Sequence, residues 1–377
     1  MTLLFDHRPE FTLSAAARWW RALDKPVLAA MVFLFCTGLV IAFSTSPILA
    51  IPRDQPTFYY AERQLIFAIP SMLLFLALSM MDPREIRRAG VLLFLIVLAL
   101  LVIVLVFGEE RNGSKRWISM VFFSIQPSEL AKPALVAVTA WMFSLRPGQG
   151  APPGSAIAAG CLAVVALLVG LQPDYSQTAL ICAVWAAMFV MTGASVVWAA
   201  SAALIAIAGI GVAFAVSPYV ADRIRLLFDA DATTGGGQIK RMLDAIQNGG
   251  FWGVGPGEGT AKFRVPDAHS DFVIAVVMEE YGLIFALFVI AAFALIVIRG
   301  FLIALRLKSH FARYAVCGLA ALIGLQAFIH IGVAARLLPP TGMTLPLISY
   351  GGSSLLSMGI TCGMLLGLTR KDVGRIP

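Results

Sequence analysis

Charged side chains are scarce in this chain of 377 residues. Aspartate, glutamate, lysine and arginine together make up 13% of it, whereas hydrophobic residues make up 59%. Soluble globular domains carry about 25% charged residues. The shortage therefore excludes an ordinary soluble protein and indicates a chain that is solvated by a lipid bilayer.

Other features are missing as well. No pair among the five cysteines has the spacing of a zinc site or a redox motif, so we expect them to pack as small apolar residues. The basic residues are not gathered into one patch, which excludes nucleic acid as a partner. No apolar stretch alternates with a period of two residues, which excludes an outer-membrane β-barrel.

Long apolar runs are what the sequence has in abundance. A helix needs about 20 mostly apolar residues to cross ~30 Å of hydrocarbon at ~1.5 Å per residue. This length predicts an all-α polytopic membrane protein with about ten transmembrane helices. Nine or eleven is the alternative, because the fifth and sixth spans are short and the sixth and seventh nearly run together. The predicted spans are 27–45, 64–81, 90–108, 132–147, 155–171, 177–193, 194–217, 271–298, 312–333 and 350–368.

These spans predict the domain organisation and the orientation. A cytoplasmic segment 1–26 precedes a single membrane domain 27–368, and a cytoplasmic tail 369–377 follows it. The domain includes a long extracytoplasmic loop 218–270 between helices 7 and 8. Of the 28 lysines and arginines, 15 lie in the inner segments, 7 in the short outer segments and 6 in the long loop. The positive-inside rule, which counts short loops, places both termini in the cytoplasm.

The loop 218–270 contains a helix signal of its own. Ile239, Met242, Leu243 and Ile246 follow the spacing i, i+3, i+4, i+7, and Gly249–Gly250 supply a stop. Four glycines at alternate positions from 253 to 259 come next, without a phosphate-loop or dinucleotide-binding pattern. They indicate a close approach of the backbone either to a ligand or to neighbouring helices.

An acidic residue stands where the loop meets the eighth span. Asp271 is a candidate functional carboxylate near the outer membrane interface, and helix capping is its structural alternative. His269, two residues earlier, is a candidate ligand contact or a polar loop residue.

Further ionisable groups fall within the spans or at their ends. Glu129 and Lys132 are spaced to pair with each other. Glu279 and Glu280 lie eight or nine residues beyond Asp271, about 12–14 Å deeper along a helix. Charges at such depth mark either a functional site or tightly paired groups.

The remaining candidates complete an outward-facing polar cleft with both signs of charge. Lys115 and Arg116 are suited to a phosphate-bearing ligand near the lipid headgroups, and Asp174 and Arg336 lie at other span ends. From the residues alone, a transporter, a membrane enzyme and an assembly scaffold all remain open.

The same segments resemble the shape, elongation, division and sporulation (SEDS) family, over roughly residues 25 to 370. Two of these segments, Gly255-Pro-Gly-Glu-Gly-Thr260 and Leu345-Pro-Leu-Ile-Ser-Tyr-Gly-Gly-Ser-Ser354, favour the cell-division branch over the elongation branch. The shared segments are Lys115-Arg-Trp-Ile118, Gln126-Pro-Ser-Glu-Leu-Ala-Lys132, Gln172-Pro-Asp174, Gly255-Pro-Gly-Glu-Gly-Thr260, Pro266-Asp-Ala-His-Ser-Asp-Phe272, Glu279-Glu-Tyr-Gly282 and Leu345-Pro-Leu-Ile-Ser-Tyr-Gly-Gly-Ser-Ser354.

The resemblance implies an activity and a set of partners. Proteins of this family polymerise lipid II into peptidoglycan on the outer face of the cytoplasmic membrane. They work with a class B penicillin-binding protein, a transpeptidase that cross-links the strands. The expected partners are therefore lipid II, the growing lipid-linked strand, this transpeptidase, other division proteins and membrane lipids.

The resemblance also implies roles for individual residues. It makes Asp271 the residue essential for glycosyl transfer, and we hypothesise that it is the base. Glu129 and Lys132 match a buried ion pair beside the central cavity. Arginine and lysine side chains, or a divalent cation such as magnesium or manganese, would assist the leaving diphosphate. We expect no organic cofactor and assign no metal ligands. The predicted substrate-binding residues are Lys115, Arg116, Glu129, Lys132, Asp174, His269, Glu279 and Arg336.

Two rival functions belong to other classes. A lipid II flippase would use the intramembrane charges as a polar path for the headgroup. A division scaffold would only recruit the transpeptidase.

Overall fold

The structure is a computed structural model, and it describes residues 17–111, 114–119, 124–145, 153–193, 221–222, 236–265 and 267–371. Helices dominate these residues. In chain order they are α1 (Lys25–Ala50), α2 (Tyr59–Met80), α3 (Pro83–Phe107), α4 (Pro127–Ser144), α5 (Gly154–Gly170), α6 (Tyr175–Met191), α7 (Gly236–Gly249), α8 (Val273–Ala304), α9 (His310–Ala334) and α10 (Gly352–Leu368).

The prediction of an all-α polytopic membrane protein is confirmed. Nine of the ten predicted spans coincide with helices, and the predicted span 194–217 lies outside the described residues. Among the described helices, α1, α2, α3, α8 and α9 have the length and composition to cross a membrane. The shorter helices α5, α6 and α10 are apolar as well. The number ten itself stays a prediction.

Three short strands lie between α3 and α4. Strands β1 (Glu109–Arg111), β2 (Ser114–Ser119) and β3 (Ser124–Ile125) form an antiparallel sheet in the order β1-β2-β3. The sequence does not predict them, because β1 and β3 have only three and two residues and the six residues of β2 do not alternate between polar and apolar. The sheet projects from the end of the bundle at which α3 ends and α4, α6, α8 and α10 begin, which we call the site face.

A charged cap fixes the start of α1 at the opposite end of the bundle. The Asp24 carboxylate accepts a hydrogen bond from the backbone N–H of Val27 at 3.2 Å, which caps α1. The same carboxylate accepts two bonds from Arg299 of α8, at 2.9 and 2.7 Å. This bidentate pair joins the first helix to the eighth away from the site face.

Helix α4 lies at the centre of the bundle. Fifteen of its 18 residues are buried, and it packs against α3, α5, α9 and α10. Its approach to α3 is close, because a Cβ added at Gly90 would lie 2.4 Å from the Cβ of Ala137. The polar residues at the start of α4 are therefore enclosed by other helices rather than by lipid.

Glycines let α10 pack directly on α2. A Cβ added at Gly359, Gly363 or Gly367 would lie 2.5 to 2.8 Å from a backbone carbonyl oxygen of α2. Small residues four positions apart allow such close helix packing in membranes, where lipid tails remove most of the hydrophobic drive between helices.

We expect Gly359→Ala to destabilise the fold by about 1–3 kcal/mol, because the added methyl overpacks a backbone contact. The matched control is Gly160→Ala on α5, where nothing lies within 4 Å of the added Cβ. Thermal unfolding in detergent should show a lower midpoint for Gly359→Ala alone. Equal midpoints for the two variants would contradict this packing.

Candidate active site

Asp271 lies at the site face, two residues before α8 begins. It belongs to a tight turn in which the backbone N–H groups of Ser270, Asp271 and Phe272 all donate to the carbonyl of Asp267, at 3.1, 2.9 and 3.4 Å. Asp267 itself has a positive φ of 52°. The turn thus holds the backbone on which the Asp271 side chain is carried.

The N-cap of α8 is Phe272, whose side chain makes no cap hydrogen bond, and Asp271 lies one position before it. The backbone N–H of Asp271 donates to the carbonyl of Asp267 in the turn described above. Helix capping by the Asp271 side chain stays a prediction.

The carbonyl groups before Asp271 are bound by two other parts of the chain. The hydroxyl of Ser349 donates to the carbonyl of Ser270 at 2.7 Å. The ring Nε2 of His330, on α9, lies 3.4 Å from the same oxygen. The backbone N–H of Tyr350 donates to the carbonyl of His269 at 2.9 Å. The segment 345–351 and α9 therefore fix the Asp271 turn.

His269 sits in an aromatic and cationic group on the site face. Its ring centroid lies 5.7 Å from that of Tyr350, which in turn lies 5.8 Å from that of Tyr60. Nη1 of Arg53 donates to the Tyr60 hydroxyl at 3.3 Å. Burial lowers the pKa of His269 to about 4, Asp267 opposes the shift and Arg53 adds to it, so the ring is neutral at pH 7.

Sequence reasoning missed Arg53 as a site residue. It lies more than 200 residues before Asp271, and a cation in a short connection has many ordinary explanations. A detectable signal was its neighbourhood, since Tyr59, Tyr60 and Arg63 follow closely and amphipathic aromatic residues with cations favour membrane interfaces.

A second polar group surrounds Asp174. Its carboxylate lies 3.7 Å from Nη1 of Arg116 on β2 and accepts hydrogen bonds from Gln126 at 3.2 Å and Ser128 at 3.3 Å. Arg116 also donates to the carbonyls of Gln172 and Pro173. Burial raises the pKa of Asp174 above its usual range, and the guanidinium of Arg116 partly offsets that effect.

The predicted contact between Glu129 and Lys132 is present. Nζ of Lys132 lies 2.8 Å from Oε2 of Glu129 and 3.0 Å from Oε1 of Gln326 on α9, while Gln177 of α6 donates to Glu129 at 2.5 Å. Both charged residues are 2% exposed. A buried pair is stable only when hydrogen bonds satisfy its remaining polar atoms, and here side chains of two other helices, α6 and α9, supply such bonds.

Thr344 and Ser349 connect the Glu129–Lys132 pair with the Asp271 turn. Nε2 of Gln326 donates to the carbonyl of Thr344 at 2.9 Å, so the Lys132 network reaches this segment. Ser349, five residues on, binds the Asp271 turn. By contrast, Lys115 and Arg336 are exposed on the site face, and among the described residues they make no contact with either network.

Helix α8 is broken close to Glu279 and Glu280. Gly282 has φ 80° and ψ 176°, so the helical hydrogen bonds stop there. The loop after α7 replaces them: the N–H of Val254 donates to the carbonyl of Glu279 at 2.9 Å, and the N–H of Leu283 donates to the carbonyl of Gly250 at 3.0 Å. Broken helices persist at membrane depth only where protein satisfies the freed backbone groups.

This contact decides what the glycine-rich segment does. A Cβ added at Gly253 would lie 2.2 Å from the carbonyl oxygen of Glu280, and one at Gly259 would lie 2.9 Å from Cδ of Glu279. Gly253 and Gly259 therefore permit a close approach of the loop to α8. The predicted loop helix is also confirmed as α7, with Ile239 and Met242 buried.

The two glutamates of α8 bind the loop. The Glu279 carboxylate accepts hydrogen bonds from the N–H groups of Ala261 and Lys262, both at 2.8 Å. Glu280 forms an ion pair with Nζ of Lys262 and accepts a hydrogen bond from Ser44 of α1. Glu279 is 0% exposed, so the expectation that it faces the substrate cleft is corrected: its carboxylate is enclosed by the loop backbone that it holds.

Together these features define a class: a multi-pass membrane protein with a carboxylate held at one face of its bundle above buried ionic networks. Comparison with known proteins identifies the family. The protein-family model described as "Cell cycle protein", which groups FtsW, RodA and SpoVE, matches residues 25–373. The chain belongs to this family, as the SEDS resemblance indicates.

Individual proteins and solved structures are similar to this chain over nearly its whole length. A Caulobacter vibrioides protein named "Probable peptidoglycan glycosyltransferase FtsW" is 40% identical over 364 residues, which cover 96% of this chain and 93% of that protein. A solved structure on the structural coordination of polymerization and crosslinking by a peptidoglycan synthase complex has a TM-score of 0.76 at 26% identity, covering 94% and 99% of the two chains. The crystal structure of the Thermus thermophilus rod shape determining protein RodA has a TM-score of 0.67 at 25% identity, covering 95% and 99%.

We expect Lys262→Met to destabilise the protein by about 3–5 kcal/mol, because it leaves the buried Glu280 charge without its partner. Adding Glu280→Gln should recover part of the loss, since that change removes the unpaired charge. Lys240→Met, at an exposed lysine of α7, is the control. Unfolding midpoints in detergent measure all four proteins, and equal midpoints for the two lysine variants would contradict the pairing.

We also expect acid to weaken the His269 region. The folded pKa of about 4 lies below the ordinary 6.5, so the unfolded chain takes up a proton that the buried ring does not. The contribution of the neutral His269 ring to the free energy of unfolding is fully present above pH 6.5. It is lost as the pH drops from 6.5 towards 4. His269→Gln should reduce this slope in a series of melting curves, and an unchanged slope would exclude His269 as its source.

Proposed function

We propose that this protein is a peptidoglycan glycosyltransferase that polymerises lipid II into glycan strands during cell division. The family match and the name of the Caulobacter relative support the activity and the division role. The observation that carries the proposal for the site is the position of Asp271. Its turn is held at the end of the bundle by the 345–351 segment and α9, where a lipid-linked sugar can meet water while its lipid stays in the bilayer.

The reaction needs one base. The 4-hydroxyl of the N-acetylglucosamine of one unit attacks C1 of the N-acetylmuramic acid on the growing lipid-linked strand. The new O4–C1 bond forms as the bond from C1 to the diphosphate breaks, and undecaprenyl diphosphate leaves. The configuration at C1 changes from α to β, so one inverting displacement suffices. In this mechanism the Asp271 carboxylate accepts the hydroxyl proton and later passes it to water.

Cations would stabilise the departing diphosphate. The structure divides the predicted candidates: Lys132 is fully engaged inside the bundle, whereas Lys115 and Arg336 are exposed on the site face. Arg116 has some exposure beside Asp174. We propose Lys115, Arg116 and Arg336 as diphosphate contacts, and Arg53 as an addition on the His269 side.

A divalent cation is the other predicted aid to the departing diphosphate. Among the described residues, no group of three or more histidine, cysteine, aspartate or glutamate side chains could hold a metal ion. A site built from protein ligands alone therefore does not fit these residues. We expect any magnesium or manganese ion to arrive with the diphosphate, and no step above depends on it.

The setting follows from the same proposal. Lipid II and the lipid-linked strand would reach the site face from the outer leaflet of the cytoplasmic membrane, with both termini in the cytoplasm. The partner would be a class B penicillin-binding protein, with other division proteins around it. The similarity to a chain of a peptidoglycan synthase complex supports that partner.

The central test is Asp271→Asn, assayed for polymerisation of purified lipid II in detergent with the partner's transpeptidase inactivated. We expect a loss of at least about 100-fold, because general-base catalysis contributes roughly 10²–10⁴-fold. Asp267→Asn removes a charge from the same turn and should retain activity. A folded Asp271→Asn variant with wild-type activity would remove Asp271 from the mechanism.

The same assay separates the rival functions. Detergent has no membrane sides, so glycan product supports a polymerase. Transport that requires sealed vesicles, without glycan product, would support the flippase. A scaffold predicts that Asp271→Asn preserves function whenever the partner still binds.

A further inference from the structure

A buried side chain from far along the sequence binds the backbone just before Asp271. We propose that Ser349 is a positioning residue for glycosyl transfer, which holds the Asp271 turn in its reactive place. The inference rests on the proposed role of Asp271 as base.

The hydrogen bonds of Ser349 point in two directions. Its hydroxyl donates to the carbonyl of Ser270 at 2.7 Å and accepts from the N–H of Leu345 at 2.8 Å. Both distances are close to the optimum for their type. The side chain is 3% exposed. One buried hydroxyl therefore joins the residue next to Asp271 to the 345–351 segment.

The other contact to the same carbonyl is weaker. His330 Nε2 lies 3.4 Å from the Ser270 oxygen, at the long end of the hydrogen-bond range. The Tyr350 N–H holds the preceding carbonyl, that of His269, at 2.9 Å. Removal of the Ser349 hydroxyl would thus leave the Ser270 carbonyl, as far as the described residues go, with only the longer contact.

Ser349 itself is held from a third direction. On α2, Nε2 of Gln64 donates to the carbonyl of Ser349 at 3.4 Å, and its Oε1 accepts from the N–H of Gly351 at 3.3 Å. Gln64 is 1% exposed. The segment that positions the Asp271 turn therefore also contacts α2.

The segment also connects the turn to the ionic network of α4. Gln326, which binds Lys132, donates to the carbonyl of Thr344, directly before Leu345. A shift of the segment would move the Asp271 carboxylate relative to the groups around Asp174 and Lys132. Displacement of a reacting group by about 1 Å can cost roughly 100-fold in rate.

The test compares kcat and KM for lipid II polymerisation, with the inactivated transpeptidase partner present. We expect Ser349→Ala to lower kcat at least about tenfold with KM changed less than about twofold. Ser71→Ala is the matched control, because its buried hydroxyl also donates to a backbone carbonyl, that of Leu355, at 2.7 Å. The control should keep the wild-type kcat while its melting midpoint falls as much as that of Ser349→Ala.

A pair of variants of equal size guards against misfolding. Ser349→Thr keeps a hydroxyl and Ser349→Val does not, so kcat of the threonine variant should exceed that of the valine variant at least about tenfold. Equal kcat values for this pair, or for Ser349→Ala and Ser71→Ala, would overturn the proposal. A rise in KM alone would do the same.

Asp271→Asn in the same assay separates the two levels of the account. If it is inactive while Ser349→Ala matches Ser71→Ala, only the positioning role fails. If Asp271→Asn keeps wild-type activity, the proposed base fails first.

Discussion

Hydrocarbon contains no water, so every polar group placed inside the bundle must find its partner within the protein. The pair of Glu129 and Lys132 follows this requirement, since side chains from α6 and α9 add hydrogen bonds to it. The same requirement explains the broken α8, where loop backbone replaces the helical bonds lost at Gly282. Removing one partner from a buried ion pair lowers the free energy of unfolding by far more than an exposed ion pair contributes to it.

These satisfied networks explain how a site can be rigid at the end of a membrane bundle. The Asp271 turn is not stabilised by its own short segment alone. It is held by the 345–351 segment and by α9. Gln64 of α2 in turn contacts the 345–351 segment. A base that must meet a sugar hydroxyl benefits from such support, because catalysis depends on preorganised geometry.

Much of this could be predicted from the sequence, for identifiable reasons. Apolar runs specify membrane helices, the i, i+3 spacing of Glu129 and Lys132 specifies their contact, and the pattern from Ile239 to Ile246 specifies α7. Contacts between distant segments could not be predicted. Nothing local reveals that Ser349 binds Ser270 or that Lys262 pairs with Glu280, because such contacts arise only when separate helices pack. The strands after α3 were not predicted, because they are short and do not alternate between polar and apolar residues.

The most direct test is an experimental structure of the Asp271→Asn variant with lipid II and a short lipid-linked strand. A base must lie within hydrogen-bond reach of the proton that it accepts, about 2.6–3.2 Å between heavy atoms. We predict that the side chain of residue 271 lies at that distance from the acceptor 4-hydroxyl, on the side of C1 opposite the diphosphate. A hydroxyl bound instead by another carboxylate, beyond the reach of residue 271, would contradict it.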